Sequence, residues 1–186
     1  MSIENVKFIP SRWFTKTSGR AIDLLVLHTT EGDPDNPGGA DDAAENTALY
    51  CARRNDKVSA HWFVDDDTMV RGVLDKDVAY AAPGANHDGI QIEMCGYAKW
   101  TTAQWKSEHL GTLCQVSRLL GHYHNKLAIP LEFISEAGLK RGEKGVTTHY
   151  EVTKVFRRST HTDPGPGFPI GDVLDLARHF AAHPGE

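Results

Sequence analysis

Apolar positions along this chain fall into runs and stripes of different period. Ile22-Asp23-Leu24-Leu25-Val26-Leu27-His28 is nearly continuous, the pattern of a strand buried on both faces, and it ends on a histidine. Glu31 to Gly39 is rich in Gly, Pro, Asp and Asn and reads as a loop, after which Ala40 to Arg54 carries helix formers without an interior breaker. Ser59 to Val64 and Met69 to Val73 flank Asp65-Asp66-Asp67-Thr68, which predicts a hairpin. Gly89 to Cys95 alternates, with Gln91 and Glu93 on one face of the expected strand and Ile90 and Ile92 on the other. Thr101 to Lys126 is the longest helical pattern, its stripe formed by Trp105, Leu113, Val116, Leu119, Leu120 and Tyr123. Pro130 to Val146 suggests a connection with at most a short strand or turn, and a last helix is expected over about Ile170 to Ala182. Strands interleaved with helices predict an α/β fold, a central mixed sheet flanked by helices.

The length, 186 residues, suits one domain, and neither a repeat nor a linker divides it. The expected division is an irregular lead-in over 1–20 and a core over about 21–182. Lys and Arg number 20 against 25 Asp and Glu, giving −5 without a like-charge run, so a nucleic-acid partner is not expected. No apolar run approaches the roughly 20 residues that span a bilayer, and the opening MSIENVKFIPSRWF lacks the features of a secretory signal. A soluble product made in the cytoplasm, without membrane insertion and monomeric, is the expectation. The three cysteines, Cys51, Cys95 and Cys114, fit neither a disulfide framework nor a zinc knuckle and read as buried small hydrophobes.

Histidine is the unusual count, at 10. His28 closes the buried strand, His149 sits in Val146-Thr147-Thr148-His149-Tyr150-Glu151, and Asp163 lies in His161-Thr162-Asp163-Pro164-Gly165-Pro166-Gly167. Two imidazoles and a carboxylate leave a fourth tetrahedral position for water, the donor set of a catalytic rather than a structural zinc site. Glu93, on the polar face of its strand, is the candidate base. Taken singly, each has a plainer reading: structural histidines for His28 and His149, a turn-capping carboxylate for Asp163. His122 and His124, two apart on an expected helix, do not face each other. His179 and His183 suit a helix C-terminus.

Ile22 to Thr30, Val58-Ser59-Ala60-His61-Trp62-Phe63-Val64, Gly89-Ile90-Gln91-Ile92-Glu93 and Thr162-Asp163-Pro164-Gly165-Pro166-Gly167-Phe168-Pro169 occur in the order seen in the zinc N-acetylmuramoyl-L-alanine amidases. The chain resembles this type-2 amidase family, which includes the peptidoglycan recognition proteins, from about Ile22 to Phe180. The resemblance implies a zinc-bearing groove on one face of the sheet, with His28, His149 and Asp163 as ligands. It implies cleavage of the amide between N-acetylmuramic acid and the L-alanine of the stem peptide, in peptidoglycan or a soluble muropeptide. Glu93 would move the water proton to the leaving amine, and His161 would stabilise the oxyanion. His61 would support the site from behind the ligands, Thr30 would offer a hydroxyl near His28, and Asn86 aligns with a groove asparagine that contacts substrate.

The sequence departs from the family pattern at several places. His161 stands where many relatives have lysine, Ala81 where many have a groove histidine, and Gln91 where Gly is frequent. A phage endolysin catalytic domain, acting on the wall after holin-type release, is the expected member; a bacterial remodelling enzyme, or a recycling enzyme working in the cytosol, fits the same residues. The rival readings are a module that binds peptidoglycan without cutting it, and a different zinc peptidase or deacetylase acting on wall material.

Overall fold

In the computed structural model, which describes residues 3, 6–32 and 42–185, four neighbouring parallel strands run from the middle to one edge of a six-stranded sheet ordered β1-β4-β3-β5-β2-β6. In chain order the strands are β1 (Lys7–Phe8), β2 (Leu24–Thr29), β3 (Trp62–Val64), β4 (Met69–Arg71), β5 (Gly89–Met94) and β6 (Gly145–Thr148). The helices are α1 (Ala43–Arg53), α2 (Thr102–Glu108), α3 (Leu110–Leu127), α4 (Glu136–Arg141), α5 (His149–Phe156) and α6 (Ile170–Ala182). β2, buried throughout, pairs in parallel with β5 on one side and β6 on the other, and β3 and β4 form the expected antiparallel hairpin. The mixed α/β architecture read from the pattern is the one observed. The 31–39 loop and the first residues of the 40–54 helix lie largely outside the described residues.

Alternation sorts the strands' side chains onto two faces. Leu25 and Leu27 of β2, Ile90, Ile92 and Met94 of β5, and Trp62 and Val64 of β3 meet Leu113, Val116, Leu119, Leu120 and Tyr123 of α3 and Val173, Leu174 and Ala177 of α6 in the main core. On the opposite face, Leu24 and Val26 pack with Ala82, Ala85 and Val152 of α5, while Phe63 and Val70 pack under Ala44, Ala48 and Cys51 of α1. His28, Gln91 and Glu93 share this second face, because the parallel register sets Val26 beside Gln91 and His28 beside Glu93.

Four stretches differ from the sequence reading. The lead-in is not wholly irregular, since Lys7 and Phe8 add an edge strand to β4 and Thr15 bridges Val78. The long helical stretch breaks at His109, whose ring stacks on Trp100 at 3.8 Å, and a new helix begins because Asp66 accepts the Thr112 N–H at 2.9 Å. Asp65 of the same hairpin turn accepts the Ala44 N–H at 2.8 Å, so one turn caps α3 on one face of the sheet and α1 on the other. The 130–146 connection holds α4 and leads into β6, and α5 follows β6 with no loop between, Thr148 accepting the Glu151 N–H. Cys51 and Cys95 are buried, but Cys114 is only half-buried.

Candidate metal centre

The carboxyl ends of three adjacent parallel strands bring the site together: β2 supplies His28, β5 supplies Glu93, and β6 passes directly into α5 at His149. This is where open parallel sheets place their ligands. Asp163 arrives on the loop before α6 and is tied to the first turn of α5, its carbonyl oxygen accepting the Tyr150 N–H at 3.0 Å. The Thr29 N–H donates to its carboxylate at 3.4 Å. The peptide bond from Asp163 to Pro164 is cis. Gly165 takes a φ of +85°, and a Cβ there would overlap the Ala98 carbonyl oxygen, so glycine lets the Asp163 loop lie backbone to backbone against residues 97–100.

Within this buried corner, the Nδ1 atoms of His28 and His149 are 3.1 Å apart. The Asp163 carboxylate lies 3.4 Å from the first and 3.3 Å from the second. One atom from each residue can be chosen so that all three lie within 4.8 Å of one another. A proton on one of the ring nitrogens, or a metal ion among the three groups, relieves the repulsion between their facing lone pairs. The far sides of both rings are engaged: Gln91 Oε1 is 2.9 Å from His28 Nε2, and the Ser159 hydroxyl is 3.3 Å from His149 Nε2. Such outer partners aim metal-binding imidazoles.

The electrostatics follow from burial and close charge. Burial disfavours charge on His28, but Glu93, 3.9 Å away, and Asp163 outweigh it and raise its pKa to about 9. Burial pushes Glu93 up to about 7 against the opposing pull of His28. Asp163 is buried too, yet its hydrogen bonds with His149 and His28 hold it well below the usual carboxylate range. His149 is lowered, chiefly by burial. A carboxylate with a pKa near neutrality can both take and return a proton, and this one stands beside three groups that could hold a metal ion.

A family model for N-acetylmuramoyl-L-alanine amidase matches residues 18–166, a span holding every residue just described. The chain belongs to that family. Similar solved structures, all with this fold, include the hydrolase AmiA of Staphylococcus aureus in complex with its ligand, 15% identical over 98% of this chain and 87% of that one, with a TM-score of 0.65. They also include AmpD, 19% identical over 94% and 96% with a TM-score of 0.61. The amidase LysC of Clostridium intestinale is 17% identical over 94% and 97%, with a TM-score of 0.55. No curated protein matches the chain in sequence.

The amidase brings His28, His149, Asp163 and Glu93 together, and it sets His161 at the rim. The His161 side chain is 62% exposed, its Nδ1 lies 3.3 Å from the Asp163 carboxylate, and its ring stacks on His149 at 4.4 Å. His61 is buried behind the site; its Nδ1 accepts the Gln91 N–H at 2.9 Å, so it reaches His28 only through Gln91. The Thr30 hydroxyl is buried beside the Cys95 thiol rather than bonded to His28. Asn86 holds its own turn, its Oδ1 accepting from the N–H groups of Ala81 and Ala82 at 3.0 and 2.7 Å. Sequence reasoning missed Gln91 and Ser159 as partners of the ligands; Gln91 had signalled itself as a departure from glycine. Among the described residues no helix is long and apolar enough to cross a membrane.

Proposed function

We propose that this amidase is a zinc enzyme that hydrolyses the bond between the lactyl carbonyl of N-acetylmuramic acid and the L-alanine nitrogen of the stem peptide. One observation carries the reading. Two donors of a tetrahedral shell with bonds of about 2.0–2.1 Å stand about 3.3–3.4 Å apart; here the two Nδ1 atoms are 3.1 Å apart, Asp163 sets one carboxylate oxygen 3.4 Å from the first and its other oxygen 3.3 Å from the second, and one atom from each residue lies within 4.8 Å of the other two. The donors are two imidazoles and one carboxylate, leaving room for a reacting group.

When bound there, zinc supplies Lewis acidity toward the carbonyl and toward a water. Glu93 takes the proton from the attacking water and passes it to the leaving nitrogen, a transfer suited to its raised pKa. His161 donates an N–H to the oxygen on which negative charge develops, from the exposed side where substrate enters. Gln91 and His61 keep His28 aimed. With its oxygen committed to the turn, Asn86 meets substrate through its amide nitrogen. Thr30 takes no part in the chemistry in this scheme.

The test is to incubate zinc-loaded protein with purified peptidoglycan and, separately, with soluble muropeptides, with and without a chelator, and to identify new end groups by mass spectrometry. Chelator-sensitive release of peptides beginning with L-alanine is expected. Release from intact wall supports a lytic setting, and release from muropeptides alone a recycling one. Binding without release, or release of acetate, would overturn the proposal.

A further inference from the structure

Gln91 carries the one conspicuous change on the site face of β5, and its surroundings give it a job. The side chain is buried and spans two partners: Nε2 donates to the Ala85 carbonyl at 2.9 Å, and Oε1 stands 2.9 Å from His28 Nε2. The Ala85 oxygen only accepts, so it fixes which end of the amide faces His28. The atom facing His28 is therefore an oxygen, which also only accepts, and His28 Nε2 must bear the proton. Whenever the ring is neutral, as a metal ligand must be, its lone pair is then on Nδ1, the atom aimed at His149 and Asp163.

Two further features serve this arrangement. A Cβ on Gly89 would stand 2.6 Å from the Ala85 oxygen and 2.7 Å from Gln91 Nε2, so glycine two residues back on the same face makes room for the bond between them. The Gln91 backbone is pinned from the neighbouring segment, its N–H donating to His61 Nδ1 and its carbonyl accepting the His61 N–H at 3.0 Å.

We infer that Gln91 is a positioning residue for the metal site: through Ala85 and Gly89 it locks His28 as the Nε2–H tautomer and thereby makes Nδ1 the ligand atom. Being neutral, the amide orients the ring without adding a negative charge behind a site that already holds Asp163 and Glu93. This rests on the proposed zinc site, and the experiment separates the two.

Zinc affinity is measured by competition with a chromophoric chelator for the wild type, Gln91→Met, which keeps length without an acceptor, and Gly89→Ala, which displaces the amide while leaving every ligand in place. Both variants are expected to bind zinc 10- to 100-fold more weakly, the range seen for loss of such partners, with folded circular dichroism spectra. Long-range 1H–15N NMR of zinc-loaded wild type, which needs no variant, is expected to show His28 coordinated through Nδ1 and protonated at Nε2. Coordination through Nε2, or variants within threefold of wild type, would overturn the inference while leaving the zinc site standing. A wild type that does not bind zinc would overturn both.

Discussion

Lowering the pH from 7 to 5 should remove about 2 kcal/mol of folding stability through one side chain, His61. The ring is fully buried; its Nδ1 accepts the Gln91 N–H, leaving Nε2 to donate to the Asp77 carbonyl at 3.0 Å, with the Arg20 guanidinium 2.9 Å from that same nitrogen. A second ring proton would point at the Gln91 N–H and add a cation beside Arg20. Burial first, and Arg20 second, lower the pKa from 6.5 to about 3. Between those values the unfolded chain binds a proton that the folded chain refuses. Stability therefore rises with pH through this window, is fully present above about 6.5, and falls by about 1.4 kcal/mol for each pH unit below it. The assay is urea unfolding at pH 5, 6 and 7, followed by tryptophan fluorescence, with chelator present so that metal release makes no contribution. The comparison is between wild type and His61→Gln, since other titrations cancel in the difference. The wild-type stability should fall more steeply by about 2 kcal/mol over the range. Parallel pH curves for the two proteins would refute the reasoning, whatever the offset between them.

Glu93→Gln should keep zinc, because no proposed ligand changes, and lose turnover by about 10²- to 10⁴-fold; chelator competition and product formation check the two halves separately. His161→Ala should lower turnover by about 10- to 1000-fold with zinc retained, since the N–H that meets the oxyanion in this scheme is lost, while His161→Lys should restore part of the loss; full turnover in His161→Ala would remove His161 from the oxyanion role. Asp66→Ala should cost about 1–2 kcal/mol in thermal or urea unfolding by freeing the Thr112 N–H at the start of α3. Asp65→Ala should cost at least as much, because the Asp65 carboxylate also accepts the Thr68 N–H in its own turn.

Elements carried by a long apolar period were legible in the sequence. β2, the β3–β4 hairpin, β5 and α6 lie where the pattern puts them, since burial against two layers leaves a continuous or alternating trace. α5 left none: its eight residues begin immediately after the last residue of a strand and stop at Arg157, which takes the left-handed conformation without being glycine. The break at His109 was equally hidden, because the group that starts α3 is Asp66, far away in sequence. In the site, the ordered motifs brought out the three donors and Glu93, whose residue types state their chemistry. Gln91 and Ser159 were not found, because an amide or a hydroxyl declares its role only once its neighbour is known.

The strand order also sets a schedule. β2 lies between β5 and β6, so the strand bearing the first donor gains its second neighbour only when β6 has been made, and the second donor follows β6 at once. His28 and His149 are 121 residues apart, a stretch that takes roughly 6 to 24 s to synthesise at about 5–20 residues per second. Throughout that interval the emerging polypeptide holds one donor of three. A ribosome that stalls, or a protease that cuts ahead of β6, releases a fragment without a hydrolytic centre. Hydrolytic capacity thus appears only once β6 and the segment that follows it have docked, a delay written into topology.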